Sequence, residues 1–245
     1  MTELSPWTPS ERSYLVSDLC RQYARASANE GWFRQSWLGV ELWQMPQDIL
    51  RLQAVVHQAR PRWIIETGTK FGGSAIFFAS LLAMLGEKDG GVLTVDLNLR
   101  AEAREVLASH PLGARVRLAL EGDAADPAII DQFADHISAD PGPVLVFLDD
   151  DHNAEHVQRE LEGYAALIQP GGWLIVADTI FADLAGTPVG QATEKYPNVA
   201  QSNPRTAIER FLAGYPDFQR VAPPFDYGPG NFLDGFLQRE WRPER

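Results

Sequence analysis

Trp63-Ile64-Ile65-Glu66-Thr67-Gly68-Thr69-Lys70-Phe71-Gly72-Gly73-Ser74 is the stretch that decides the fold. A short apolar strand, Trp63–Ile65, runs into a turn with glycines at 68, 72 and 73. A nearly all-apolar helix, Ala75–Leu85, follows, with Gly86 placed to cap its end. A strand without polar alternation is buried on both faces, so the reading is a parallel sheet with helices on either side.

The same alternation continues downstream. Strands are expected at Gly91–Asp96, Arg115–Leu120, Val144–Leu148 and Trp173–Ala177, with helices at Ala101–Ser109 and near Pro127–His136. A further helix carries Val157, Leu161, Tyr164, Ala165 and Ile168 on one face and is expected to stop at Pro170-Gly171-Gly172. Right-handed crossovers make this α/β order a doubly wound, Rossmann-like sheet. The ending differs. A long loop, Phe181–Pro204, leads to a helix near Arg205–Ala213. Two late strands, Phe218–Val221 and Phe232–Leu237, have no helix between them and predict a C-terminal antiparallel hairpin at the sheet edge. That ending separates methyltransferase sheets from ordinary dinucleotide dehydrogenases.

Upstream, residues 1–60 read as an N-terminal helical and aromatic extension to a ligand-binding domain at 61–245. Thr8-Pro9-Ser10-Glu11 has the form of a capping box, and a helix is expected from there to about Ala26. Pro46-Gln47-Asp48 opens a second helix, with Ile49, Leu52, Val55 and Val56 at helical spacing. Trp32, Trp37 and Trp43 lie between these helices, where they either pack the extension onto the sheet or line a pocket.

Bulk composition narrows the function. The chain has 245 residues, 45% hydrophobic and 22% charged, as folded proteins do. A formal net charge of -12 argues against a nucleic-acid partner, which would call for clustered Lys and Arg. No apolar run approaches the roughly 20 residues that span a bilayer. The polar start MTELSPWTPSER is unlike a signal peptide, and the single cysteine, Cys20, cannot close an internal disulfide. The expectation is a cytoplasmic protein without a membrane partner, working on a small molecule.

In open α/β sheets ligands bind beyond the carboxyl ends of the strands. Glu66, Asp96, Asp123, Asp149 and Asp178 all fall at or just past those ends. Any one acid could merely cap a helix, but five at one edge point to a site. The first turn lacks G-x-G-x-x-G, which excludes the usual nicotinamide fingerprint. Gly68, Thr69, Gly72 and Ser74 instead bring backbone amides close to a ligand at a helix N-terminus, suited to an amino-acid carboxylate. Glu66 would order this loop or meet an ammonium group. Asp96 would accept both hydroxyls of a ribose, with Gly122-Asp123 where an adenine would reach. Together these favour an adenosyl ligand.

Asp149-Asp150-Asp151-His152 is the sharpest local feature. Carboxylates beside an imidazole raise its basicity or gather a divalent cation, whereas the bland alternative is helix capping by Asp151 or Asn153. His156 follows His152 by four residues, a spacing that holds a metal on one helical face, but no third soft ligand accompanies the pair.

The chain resembles the cephalosporin hydroxylase family, which has the fold of S-adenosylmethionine methyltransferases and includes rhamnosyl and macrolide-sugar O-methyltransferases. The resemblance lies in Trp37-Leu38-Gly39 with Gln44-Met45-Pro46-Gln47-Asp48, in Ile65-Glu66-Thr67-Gly68-Thr69 with Gly72-Gly73-Ser74, and in Leu148-Asp149 with His152. It continues in Glu160-Leu161 with Tyr164, in Gly172–Val176 with Asp178-Thr179, and in Asn203-Pro204 with Ala207-Ile208 and Phe211-Leu212. It implies that Glu66, Gly68, Ser74 and Asp96 hold S-adenosylmethionine, with Asp149 bordering it, that Asp149 binds Mg2+, and that His152 is the general base. The family places Glu-Asp after the fifth strand. Here Ala177-Asp178 stands there, so one expected Mg2+ ligand is absent, leaving Asp149 and Asp178 with Asp150 or Asp151 as substitutes. The resemblance also implies a homo-oligomer. The leading expectation is O-methyl transfer to a small natural product, a sugar moiety, as in antibiotic biosynthesis. The alternatives are a protein that binds S-adenosylmethionine without transferring methyl, and a nicotinamide oxidoreductase.

Overall fold

The computed structural model describes residues 8–28, 31, 35–187, 190, 193–225 and 228–241. The expected parallel strands are all present, as β3 (Trp63–Thr67), β4 (Gly91–Asp96), β5 (Val116–Glu121), β6 (Val144–Leu148) and β7 (Trp173–Val176). With β8 (Phe218–Arg220) and β9 (Phe236–Arg239) they form one seven-stranded sheet of order β5-β4-β3-β6-β7-β9-β8. Pairing is parallel from β5 to β7, and β9 runs antiparallel to both β7 and β8. The chain therefore winds outward from β3 in one direction through β4 and β5, then in the other through β6 and β7. The switch between β3 and β6 opens a crevice at their carboxyl ends.

The helices explain themselves by what they cover. α3 (Gly73–Met84) is apolar all round and is buried on nearly every side, between the sheet and the segment before it. Its start is held close to the chain at Glu41, where a side chain at Gly73 would lie 2.1 Å from the Glu41 carbonyl oxygen. α2 (Pro46–Ala59), whose apolar stripe includes Leu52 and Val55, packs on the same side of the sheet. α4 (Ala101–Ser109) follows β4. α5 (Pro127–Ala139), α6 (Ala154–Ala165) and α8 (Pro204–Gly214) cover the opposite face, with Phe133, Leu161, Tyr164 and Phe211 in a second core. α1 (Pro9–Ala28) begins with the expected capping box. Thr8 Oγ1 accepts from the Glu11 amide at 3.3 Å, and Glu11 accepts from the Thr8 amide at 2.9 Å.

Several expectations need correction. The first sixty residues are not wholly helical: Ser36–Trp37 (β1) and Val40–Glu41 (β2) form a small antiparallel hairpin, its turn made by Leu38 and Gly39 at positive φ. α6 ends at Ala165 rather than at Pro170-Gly171-Gly172, and turns carry the chain onward to β7. The 181–204 connection is not structureless, since α7 (Phe181–Leu184) folds back onto α1. The last strand is Phe236–Arg239, because Phe232 and Leu233 pack in the loop before it. Among the described residues no helix is long and apolar enough to cross a membrane. Trp32 lies outside the described residues.

Candidate active site

The crevice is a cleft of about 690 Å3. Its lining includes Gly68, Thr69, Ser74, Asp96, Asp123, Asp149, His152 and Asp178, so eight of the residues expected from sequence converge there. Glu66, Gly72 and Gly122 do not line it. Glu66 is fully buried beneath the β3–α3 turn, where it accepts from Thr94 Oγ1 at 2.8 Å and from Ser74. Of the two roles expected for Glu66, the placement supports ordering the loop. Burial pushes its carboxyl up to about 7. Gly72 is the left-handed residue that starts α3, with φ of 87°. Gly122 donates its amide to the Asp96 carbonyl at 3.0 Å and shapes the β5 end.

The turn after β3 depends on Gly68. Its φ is +86°, and a Cβ there would sit 2.3 Å from the Asp149 carbonyl oxygen, so the β3 and β6 ends meet backbone to backbone. Asp96 holds the same turn from β4. Its Oδ2 accepts from the Lys70 amide at 2.8 Å and its Oδ1 from the Asn98 amide at 3.0 Å, leaving one lone-pair direction on each oxygen for a diol. Asp123 accepts from the Ala125 amide at 2.9 Å and faces the cleft beside it.

Beyond β6, the acids separate by environment. Asp149 is half-buried at the cleft, and desolvation together with the charges of Asp178 and Glu66 holds its carboxyl well above the ordinary range. Gln44 Nε2 donates to its Oδ2 at 2.6 Å. His152 Nε2 lies 3.2 Å from Asp178 Oδ2. Its ring is stacked on Tyr196 at 5.4 Å and tilted against Phe181 at 4.7 Å. Asp150 and Asp151 do not stand in for the absent acid at 177. Asp150 Oδ2 is turned to His156 Nε2 at 3.1 Å, and Asp151 caps Asn153 while its other oxygen faces Lys195 Nζ at 3.5 Å. The His152–His156 spacing does not place both on one helical face, because α6 begins only at Ala154 and the two rings face different carboxylates.

Asp149 and Asp178 are hard oxygen donors at the cleft, crowded enough to raise Asp149, and Mg2+ commonly takes one or two carboxylates plus water. The donor set fits that ion. Ala177, 2% exposed, contributes only a methyl group.

Several lining residues had no place in the sequence expectation. Lys70 has its ammonium 3.3 Å from the centre of the Trp43 ring, and burial lowers its basicity against the pull of Asp149. Lys70 and Asp178 are two of the four non-glycine residues at positive φ among those described, with φ of 47° and 53°. Strained backbone at a cleft is a functional signal that sequence does not display. Trp43 thus lines the pocket, whereas Trp37 packs on Phe77 and donates to Ser80 Oγ at 3.0 Å. Tyr23, from α1, also reaches the cleft, as do Lys195 and Tyr196 from the 181–204 connection.

Residues 29–239 match the family described as Rhamnosyl O-methyltransferase/CmcI. The chain belongs to this family of S-adenosylmethionine-dependent methyltransferases. A rhamnosyl O-methyltransferase of Mycobacterium tuberculosis is 31% identical over 163 residues, covering 64% of this chain and 61% of the relative. The match thus spans about three-fifths of that relative's length. The Mycobacterium leprae rhamnosyl O-methyltransferase is 29% identical over 211 residues, 85% of each chain. Among solved structures, CmcI with Mg and SAM superposes with a TM-score of 0.58 at 19% identity, over 84% of this chain and 77% of that one. TomG, an O-methyltransferase from Streptomyces achromogenes involved in tomaymycin synthesis and solved with SAM, gives 0.56 at 22%, covering 80% of each. These superpositions show a shared Rossmann-like methyltransferase fold.

Proposed function

We propose that this chain is an S-adenosylmethionine-dependent O-methyltransferase acting on a hydroxyl of a small natural product, a sugar moiety. The observation that carries this reading is His152, held at the cleft with Nε2 3.2 Å from Asp178 and its ring braced by Tyr196 and Phe181. The rhamnosyl relatives support a deoxysugar acceptor.

Gly68, Thr69 and Ser74 would hold the amino-acid end of the donor, and Asp96 its ribose hydroxyls. When bound, the sulfonium supplies the methyl group as an electrophile. With Nε2 facing Asp178 and carrying the ring proton, the His152 lone pair lies on Nδ1, which takes the proton of the acceptor hydroxyl as its oxygen becomes nucleophilic. Asp178 fixes the tautomer and stabilises the imidazolium that results. Mg2+, held by Asp149 and Asp178, would orient the acceptor oxygen and acidify it. Positioning donor and acceptor together supplies much of the rate.

The test is methyl transfer from S-adenosylmethionine to rhamnosyl glycosides, followed by product mass. His152→Ala is expected to lower turnover at least about 100-fold with donor affinity unchanged, and Asp96→Ala to weaken donor binding. Normal turnover by His152→Ala would remove the base assignment. Donor binding without product from any acceptor would favour a protein that binds S-adenosylmethionine without using its methyl group, the reading to which Ala177 lends weight.

A further inference from the structure

Beside the cleft, where the turn after β6 meets α6, three ligating side chains converge in a cluster that the methyl-transfer reading does not use. His156 Nε2 lies 3.1 Å from Asp150 Oδ2 and 3.6 Å from Glu160 Oε2. Ligand atoms about 2.0–2.1 Å from a tetrahedral ion are separated by roughly 3.3 Å, so this spacing already matches a coordination shell. Among the described residues, no other three such side chains come within metal-binding distance of one another.

Glu160 is the decisive member. It is fully buried, and neither of its carboxyl oxygens is in a well-formed hydrogen bond, its polar neighbours being His156, Asp150 and the Thr67 hydroxyl. An unpaired buried carboxylate is costly, and such groups are normally paired or coordinate a metal. His156 and Glu160 are four residues apart on α6, so the helix itself brings both side chains to one face. The other ring nitrogen, Nδ1, lies 3.8 Å from Asp123 Oδ1 and 3.2 Å from the exposed Arg159 guanidinium, which also lies 3.5 Å from Asp123. Asp150 and His156 border the cleft, which leaves an approach for the ion and for a water ligand.

We propose that Asp150, His156 and Glu160 form a second divalent-metal site, separate from the Asp149–Asp178 pair. One imidazole with two carboxylates suits a first-row transition ion of the zinc and manganese kind, whereas Mg2+ favours all-oxygen surroundings. The ion ties the Asp149–Asn153 turn, and with it His152, to the first turns of α6. This inference stands apart from methyl transfer, and its test requires neither donor nor acceptor.

The experiment is titration of the metal-free full chain with Co2+, read by visible absorption, with Zn2+ as competitor. One equivalent is expected to bind at this site with a d–d spectrum, and Zn2+ to displace it. His156→Asn and Glu160→Gln should each weaken Co2+ binding at least about tenfold, while Asp178→Asn leaves it unchanged. Anomalous scattering from Co2+-soaked wild-type crystals locates the ion directly, so the outcome survives if a variant fails to fold. Density between Asp150, His156 and Glu160 bears the proposal out. It is overturned if Co2+ fails to bind at millimolar concentration, if anomalous density lies at Asp149 and Asp178 with none between Asp150, His156 and Glu160, or if Asp178→Asn alone abolishes binding.

Discussion

Glu66 shows how far one residue's role depends on its depth. At the end of β3 it reads as a ligand contact, yet it is fully buried and serves the turn through Thr94 and Ser74. Its carboxyl is raised from 4.5 to about 7, so the folded state keeps a proton that the unfolded chain has already lost. The contribution is therefore fully favourable below about 4.5 and is lost as pH rises toward 7. At 1.36 kcal/mol per unit the span is up to about 3 kcal/mol. Glu66→Gln, measured by urea denaturation, should gain stability relative to the native protein between pH 5 and 8. A difference that does not change with pH would mean that Glu66 ionises like an exposed carboxyl.

At the scale of elements, the cleft is closed from outside the sheet. α1 brings Tyr23 to it, and α7 brings Phe181. Arg12 holds the two together, with one nitrogen 2.6 Å from Asp183 on α7 and another 3.0 Å from the buried Asp234. Arg205 on α8 contacts the same two acids. Arg12→Ala should therefore cost about 1–3 kcal/mol and loosen α1 first. Hydrogen exchange would then be fastest over Pro9–Ala26. Acceptor KM should rise while donor affinity stays constant, because the donor residues lie on the sheet side. Unchanged protection of α1 would show that Leu15 and Leu19, packed on Ile180 and Leu184, hold it unaided.

For the whole molecule, the donor site is preformed where β3, β4 and β6 end, so donor binding should register as global stabilisation. S-adenosylmethionine at about a hundredfold its dissociation constant contributes roughly 2.7 kcal/mol. For a domain of this size that amounts to a rise in Tm of about 5–10 °C. Thermal unfolding with and without Mg2+ then separates the two parts of the proposal. A donor shift enlarged by Mg2+, and diminished by Asp178→Asn, supports the Asp149–Asp178 pair. A donor shift indifferent to Mg2+ leaves the donor site intact and removes the ion from that pair. No shift with the donor would remove the donor site itself.

Periodicity alone determined the parallel strands, the helices between them and the late antiparallel pair. Buried parallel strands must be continuously apolar, and such runs are visible residue by residue in Ile64-Ile65 or Val144–Leu148. The acids at the strand ends were legible for the same reason, since strand direction places them all at one edge. Only the tertiary structure decided their division of labour. Three consecutive aspartates are alike in sequence, but β6 ends within the cleft, and the turn after it sends Asp149 toward Gln44, Asp150 toward His156 and Asp151 toward Asn153. The parts played by Lys70, Tyr23 and Tyr196 were illegible for a related reason. Their side chains come to the cleft through a left-handed backbone, a distant helix and a long connection, and contacts between residues so far apart leave no local period to read.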